Sequence, residues 1–227
     1  MAHEDERLPL IYLARHGETE WSLTGRHTGL SDLPLTEAGE RNALRLRERL
    51  SGLKVNSVLT SPLQRARRTC ELAGFGSKAT LVPDLVEWDY GEYEGRTSVE
   101  IHRESPDWQL FRDGCPGGES PQQVAARADR VVNLVRTVAG NVILFSSGHF
   151  LRMLAARWCQ VEPIANARPF MLDTASIQER RVKSRQLTQD GTFSQRTLPG
   201  EAGFVDKLLS AMRYQFSGHM EKAAERS

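Results

Sequence analysis

Four side chains suited to phosphate chemistry follow three apolar runs of the sequence. Arg15, His16, Arg65 and His149 each come just after a run short enough to be a buried strand. Ligands of open α/β sheets collect at the carboxyl ends of strands. If the three strands are neighbours, two imidazoles and two guanidiniums converge, and such a cluster repels itself unless an anion occupies it. A dianionic phosphoryl group fits, because arginine presents planar forks to phosphate oxygens.

A phosphoryl group held there could react with an imidazole nitrogen. A neutral imidazole can attack phosphorus and form a covalent intermediate, which splits one displacement into two easier steps. The departing oxygen then needs a proton at neutral pH, and neither arginine can supply it. Glu87, beside Trp88 and Tyr90, is the best candidate for this acid, because crowded aromatic surroundings favour the protonated carboxyl. His149, if cationic, would stabilise transition-state charge without a metal ion.

Composition restricts the ligands and partners of the chain. The 227 residues are 39% hydrophobic and 26% charged, which is typical of a globular protein. The 30 Lys and Arg residues nearly balance the 29 Asp and Glu residues, so neither nucleic acid nor an anionic membrane is an expected partner. The six histidines lack metal-binding spacing, so we expect no metal site and no cofactor. Three widely spaced cysteines and the absence of a signal-peptide pattern at residues 1–10 predict a cytoplasmic protein.

Alternating strand and helix patterns predict a single α/β domain. Its expected architecture is a three-layer sandwich, with helices on both faces of a mostly parallel central sheet. Strands are predicted at 10–14, 55–60, 81–86, 141–146 and 170–177, and helices at 36–50, 62–74, 120–138 and 150–159. The pattern at 97–112 is only weakly helical.

The composition changes near the end of the chain. The catalytic domain is predicted to span residues 1–177. Residues 178–227 are predicted to be an atypical polar tail, in which 204–216 has the pattern of an amphipathic helix.

Each candidate side chain also has an ordinary structural interpretation. A histidine after a strand is as often a turn residue as a catalyst, and an arginine-rich helix face such as that around Arg65 is usually solvated. The ordered combination is far more specific than any one member.

That combination resembles the histidine phosphatase superfamily, also called the phosphoglycerate-mutase-like family. The resemblance covers roughly residues 10–177. Its motifs are Arg15-His16-Gly17-Glu18, Thr28-Gly29-Leu30-Ser31, Thr60-Ser61-Pro62-Leu63-Gln64-Arg65, Glu87 with Tyr90-Gly91, Gly117-Gly118-Glu119-Ser120, and Ser147-Gly148-His149.

The resemblance implies a role for each matching residue. His16 would be the phosphorylated nucleophile and Glu87 the proton donor, and Arg15, Arg65 and His149 would form the phosphate pocket. The residues implied on the substrate side are Ser22, Thr28, Gly29, Tyr90 and Gly148.

The resemblance also bears on the reaction. Ser22 stands where cofactor-dependent phosphoglycerate mutases carry Asn, and their insertion after the acid loop is not recognisable, which favours hydrolysis. The motifs are most similar to sedoheptulose-bisphosphatase members, which implies a metal-independent phosphatase acting on a small phosphorylated metabolite, a sugar phosphate or bisphosphate. The alternatives are a phosphoglycerate mutase or other phosphotransferase, and a non-catalytic module that binds phosphorylated ligands.

Overall fold

Strands and helices alternate along the described part of the chain, which comprises residues 10–160, 177–181, 186–187 and 193–194 of a computed structural model. The strands are β1 (Leu10–Arg15), β2 (Ser57–Thr60), β3 (Ala79–Leu81), β4 (Val142–Ser146), β5 (Ile177–Arg181), β6 (Gln186–Leu187) and β7 (Phe193–Ser194). The α-helices are α1 (Glu20–Leu23), α2 (Glu37–Leu50), α3 (Gln64–Leu72), α4 (Ser98–Glu104), α5 (Leu110–Asp113), α6 (Pro121–Arg136) and α7 (Gly148–Cys159).

Five strands form one sheet in the order β3-β2-β4-β1-β5. The first four run parallel, and β5 pairs antiparallel with β1 at the edge. Arg15 at the end of β1 lies opposite Ser146 at the end of β4, and Thr60 of β2 lies opposite Phe145. The carboxyl ends of β1, β4 and β2 are therefore neighbours, as the placement of the candidate side chains requires.

Alternate residues of the strands bury their side chains on opposite faces of the sheet. Ile11 and Leu13 of β1 pack with apolar residues of α6 and α7, whereas Tyr12 and Ala14 pack with those of α2 and α3. Helices thus cover both faces. The predicted three-layer α/β architecture with a mostly parallel sheet is confirmed.

Capping residues fix where the longer helices begin. The Thr36 hydroxyl accepts a hydrogen bond from the N–H of Gly39 at 3.0 Å and starts α2. Ser120 and Gln123 form a reciprocal capping box at the start of α6, with Pro121 at the first helical position. These local signals explain why the sequence predicts both helices.

The end of the described chain differs from its predicted pattern. The edge strand β5 occupies Ile177–Arg181, whereas the strand was predicted at 170–177, of which 170–176 lie outside the described residues. The predicted helix at 204–216 also lies outside them. The strands β6 and β7 pair with each other, in a second compact unit of residues 183–227. No helix within the described ranges is long and apolar enough to cross a membrane.

Candidate active site

His16 is fixed by the backbone at the carboxyl end of β1. Its N–H donates to the carbonyl of Ser146 at 3.0 Å, and the next N–H, of Gly17, donates to the Thr69 hydroxyl at 2.9 Å. The imidazole is buried, and its Nδ1 lies 2.7 Å from the carbonyl oxygen of Gly17. Because a carbonyl only accepts, Nδ1 must carry the proton, and the lone pair of the neutral ring lies on Nε2.

The surroundings of His16 keep this ring neutral. Burial, followed by the positive charges of Arg65 and Arg15, lowers the pKa of His16 well below its ordinary value of 6.5. The hydrogen bond to Gly17 opposes this change but does not outweigh it. A neutral imidazole with a fixed lone pair is the form that a nucleophile needs.

Arg65 binds the backbone of the 28–31 loop. Its terminal nitrogens donate to the carbonyl oxygens of Ser31 at 2.8 Å, Thr28 at 3.1 Å and Gly29 at 2.7 Å. The whole side chain is buried, and its Nε–H has no hydrogen-bond partner among the described residues. Arg65 was predicted to bind phosphate, but two of its three guanidinium nitrogens hold this loop, and its Nε–H has no partner among the described residues.

Glu94 binds the same loop through the backbone N–H groups of the loop. Its carboxylate accepts from the N–H of Gly29 at 2.9 and 3.0 Å and from the N–H of Ser31 at 3.1 Å. A Cβ atom at Gly29 would lie 2.5 Å from both the Glu94 carboxylate and the carbonyl oxygen of Trp88. Glycine is required at this position for the close approach of the two loops.

The Glu87 carboxylate contacts the first residues of α7. Its Oε1 accepts from the N–H of Trp88 at 2.9 Å and of Phe150 at 2.7 Å, and its Oε2 accepts from the N–H of His149 at 3.0 Å. Trp88 and Tyr90 are buried, whereas their alternation with carboxylates favours a surface loop, and the Glu87 oxygens meet backbone N–H groups rather than an apolar surface. The unpaired N–H groups at a helix start thus hold Glu87 in place.

Arg127 of α6 fixes the segment that carries Glu87. Its guanidinium donates to the carbonyl oxygens of Asp84, Val86 and Glu87 at 2.6 to 3.1 Å. It also forms a bidentate pair with Glu119, at 3.0 and 2.7 Å. The Arg127 side chain is 7% exposed, so water cannot readily replace it as the donor to these acceptors.

Replacing Arg127 by methionine is expected to destabilise the fold by about 3–5 kcal/mol, because the partly buried Glu119 carboxylate and three carbonyls would lose their donor. The matched control is Arg130→Met, one turn along α6, where the Arg130 side chain is 60% exposed in its ion pair with Asp84. This change is expected to leave the free energy of unfolding nearly unaltered. Urea denaturation measures both, and equal losses would contradict the assigned role of Arg127.

His149 and Tyr90 form a hydrogen-bonded pair. The Tyr90 hydroxyl lies 2.5 Å from Nδ1 of His149, and burial raises the pKa of Tyr90 well above 10. Burial, followed by the charges of Arg152, His27 and Arg15, lowers the pKa of His149 well below 6.5. The ring is therefore neutral, in place of the cation considered from the sequence. Tyr90 donates to Nδ1, and Nε2–H of His149 remains as a donor for an anion.

A cavity of about 240 Å³ brings these groups together. Of the predicted site residues, the lining includes Arg15, His16, Ser22, Thr28, Glu87, Tyr90, Gly148 and His149. Gly29 and Arg65 do not line it. A Cβ atom at Gly148 would lie 3.2 Å from Nε of Arg15, so glycine there allows the guanidinium to approach. The Ser22 hydroxyl donates to the carbonyl of Thr19 at 3.0 Å, as part of the cap of α1.

The cavity also contains residues beyond those to which the family resemblance gives a role. They include Arg26, His27, Ser98 and Arg152. Arg152 follows His149 by three residues on α7, and this spacing places both on one helix face, which is the signal that could have identified it. Within the described residues, no three His, Cys, Asp or Glu side chains cluster closely enough to hold a metal ion.

Comparison with known proteins shows the family of the chain. The profile of the histidine phosphatase superfamily (branch 1) matches residues 11–191. An acid phosphatase of Mycobacterium tuberculosis is 41% identical over 171 residues, which cover 74% of this chain and 83% of the relative. A sedoheptulose 1,7-bisphosphatase of Saccharomyces cerevisiae is 34% identical over 208 residues, which cover 73% of this chain and 76% of the relative.

A solved structure has the same fold. The product of an open reading frame of Mycobacterium tuberculosis superposes with a TM-score of 0.72 at 37% identity, over 84% of this chain and 96% of that one. The resemblance found in the sequence is thereby confirmed: the chain belongs to the histidine phosphatase superfamily and is a phosphoric monoester hydrolase.

Proposed function

We propose that this enzyme hydrolyses a small phosphomonoester without a metal ion, through a phosphohistidine at His16. In the first step, the Nε2 lone pair of His16 forms the N–P bond, the ester P–O bond breaks, and the proton of the Glu87 carboxyl moves to the departing oxygen. In the second step, the Glu87 carboxylate takes a proton from water, the water oxygen attacks phosphorus, and the N–P bond breaks. Inorganic phosphate is released, and both side chains return to their starting forms.

The observation that carries the proposal is the hydrogen bond from Nδ1 of His16 to the Gly17 carbonyl, at 2.7 Å. It leaves Nε2 as the atom that can attack, in a cavity that Glu87 also lines. The same bond stabilises the positive charge that the ring acquires when Nε2 is phosphorylated. Nucleophile and proton carrier are thus held on one cavity by different elements, β1 and the start of α7.

Charge on the phosphoryl group is balanced by protein donors in this proposal. Arg15 lines the cavity with His16, and His149 offers a neutral Nε2–H. Fixed donors in a buried site stabilise developing negative charge strongly, because they need no reorganisation. This assigns to side chains the part that a metal ion plays in other phosphatases.

We propose a sugar phosphate or sugar bisphosphate as the small phosphorylated metabolite. The yeast relative, named sedoheptulose 1,7-bisphosphatase, supports this substrate class. Arg26 and Arg152 line the cavity in addition to Arg15, and a cavity with several cationic side chains suits a substrate with two phosphates.

Phosphate release in excess chelator tests the function. The substrates are a sugar phosphate, a sugar bisphosphate, a phosphoglycerate and a phosphopeptide, in water enriched in ¹⁸O. We expect chelator-resistant release, fastest from the sugar esters, with one solvent oxygen in each phosphate. Transfer of the phosphoryl group to an acceptor hydroxyl, without solvent oxygen, would indicate a phosphotransferase. Tight binding with no turnover would indicate a binding module.

A further inference from the structure

A second cavity, of about 780 Å³, adjoins the catalytic one. The two share His27, Ser98, His149 and Arg152 in their linings. The remaining lining of the second cavity comes from α4, α5 and the turn between them, residues 102–112. Because His16 lines the first cavity and the two cavities share this wall, a leaving group larger than the first cavity can extend along it into the second. We propose that the second cavity is the leaving-group subsite and binds a sugar ring, an inference that rests on the proposed function.

The indole of Trp108 supplies an apolar wall. Its N–H already donates to the carbonyl of Gly114 at 2.8 Å, so the ring offers a surface rather than a donor. His27 and Tyr93 contact it edge to face, at centroid distances of 5.7 and 5.1 Å, and these contacts fix its orientation. An aromatic ring in a fixed orientation, beside polar side chains, can pack against the apolar face of a sugar ring.

Polar side chains flank Trp108 in the same lining. Asp107 and Gln109, its two neighbours in sequence, are exposed, and neither side chain forms a hydrogen bond to another described residue. A carboxylate and an amide together accept from and donate to hydroxyl groups. Sugar hydroxyls can replace the water on these groups, whereas a purely aromatic leaving group would cover them without compensation. The lining therefore favours a sugar over an aryl group.

Arg152 lies where the two cavities meet. Its guanidinium is 4.6 Å from the centre of the Phe111 ring, and this stacking holds it on the wall shared with His149. A permanently charged group at this junction suits the oxygens that connect or flank the transferred phosphoryl group. It joins the proposed sugar subsite to the chemistry at His16.

The test compares three phosphomonoesters on one enzyme: glucose 6-phosphate, phenyl phosphate and glycerol 3-phosphate. In Trp108→Ala, we expect kcat/KM for glucose 6-phosphate to fall by about tenfold or more, with less than about a threefold change for glycerol 3-phosphate. Gln109→Ala replaces an exposed side chain without disturbing the packing, and it is also expected to lower kcat/KM for glucose 6-phosphate. Trp108→Phe is expected to keep most of the wild-type kcat/KM for this ester. Val99→Ala, on α4 but outside the lining, is the matched control and should leave all three values unchanged.

The other outcomes overturn the inference in distinguishable ways. Equal losses for the three esters would show that Trp108 acts only through the fold. A loss greatest for phenyl phosphate would show an aryl subsite. If the wild-type enzyme hydrolyses phenyl phosphate and glycerol 3-phosphate but not glucose 6-phosphate, the sugar subsite is refuted and the phosphatase proposal stays intact. No phosphate release from any ester would refute the proposed function itself.

Discussion

The His16→Asn variant is expected to lose about 10⁴-fold or more in kcat, and to form no covalent phosphoenzyme. Asparagine can still donate to the Gly17 carbonyl through its amide, so the local backbone keeps its partner. It has no nitrogen lone pair able to attack phosphorus, because the amide nitrogen is conjugated with its carbonyl. The variant thus removes the nucleophile while disturbing the buried site little.

Rapid quenching with ³²P-labelled substrate measures this prediction. Phosphohistidine survives alkali and decomposes in acid, which separates it from phosphoserine and acyl phosphates. Since burial and two arginines lower the pKa of His16, the wild-type protein should still form phosphoenzyme at pH 5.5, where an ordinary histidine would be largely protonated. An acid-stable label, or a label retained in His16→Asn with an unchanged melting temperature, would assign the nucleophile to another side chain.

Glu87→Gln is expected to separate good leaving groups from poor ones. For an alkyl phosphomonoester, kcat/KM should fall by about 10²–10⁴-fold, because the alkoxide leaves without a proton. For p-nitrophenyl phosphate, whose phenolate leaves unassisted, the first step should slow far less. The second step needs Glu87 as the base with either substrate, so phosphoenzyme should accumulate after a burst of p-nitrophenol.

The comparison of the two substrates contains its own control. In Glu87→Gln, the amide NH2 group must face one or more of the backbone N–H groups of Trp88, His149 and Phe150, which are also donors. Some loss of stability of the variant is therefore expected. General damage to the site would lower kcat/KM for both esters alike. Equal slowing of alkyl and nitrophenyl esters, with no accumulated phosphoenzyme, would remove Glu87 from both proton transfers.

The placement of His16 and His149 was predictable because it depends on strands. Each follows a short apolar run, and parallel neighbours bring the carboxyl ends of such runs to one edge of the sheet. The atomic partners were less accessible. Arg65 reaches carbonyls of the 28–31 loop and Glu87 reaches the start of α7, and contacts between segments so far apart in sequence leave no local pattern.

The second cavity shows a different reason for missing a site. The segment from Ser98 to Asp113 forms two short helices that turn polar side chains toward an open space, so it has no sustained apolar period. Arg152 was missed because it reads as an ordinary polar position of an amphipathic helix. Periodicity alone reports which side chains are buried, and Arg152 becomes a candidate only when its spacing is measured from His149.

The 28–31 loop has a consequence for how this site can change by mutation. Arg65 binds the loop through carbonyl oxygens and Glu94 binds it through N–H groups, which every residue except proline retains. The side chain of Leu30, 48% exposed, takes no part in either set of bonds. Position 30 can therefore accept new side chains without a change in the shape of the loop. Leu30 lines neither cavity, so a saturation library at this position would alter the outer surface of the loop on an unchanged catalytic frame.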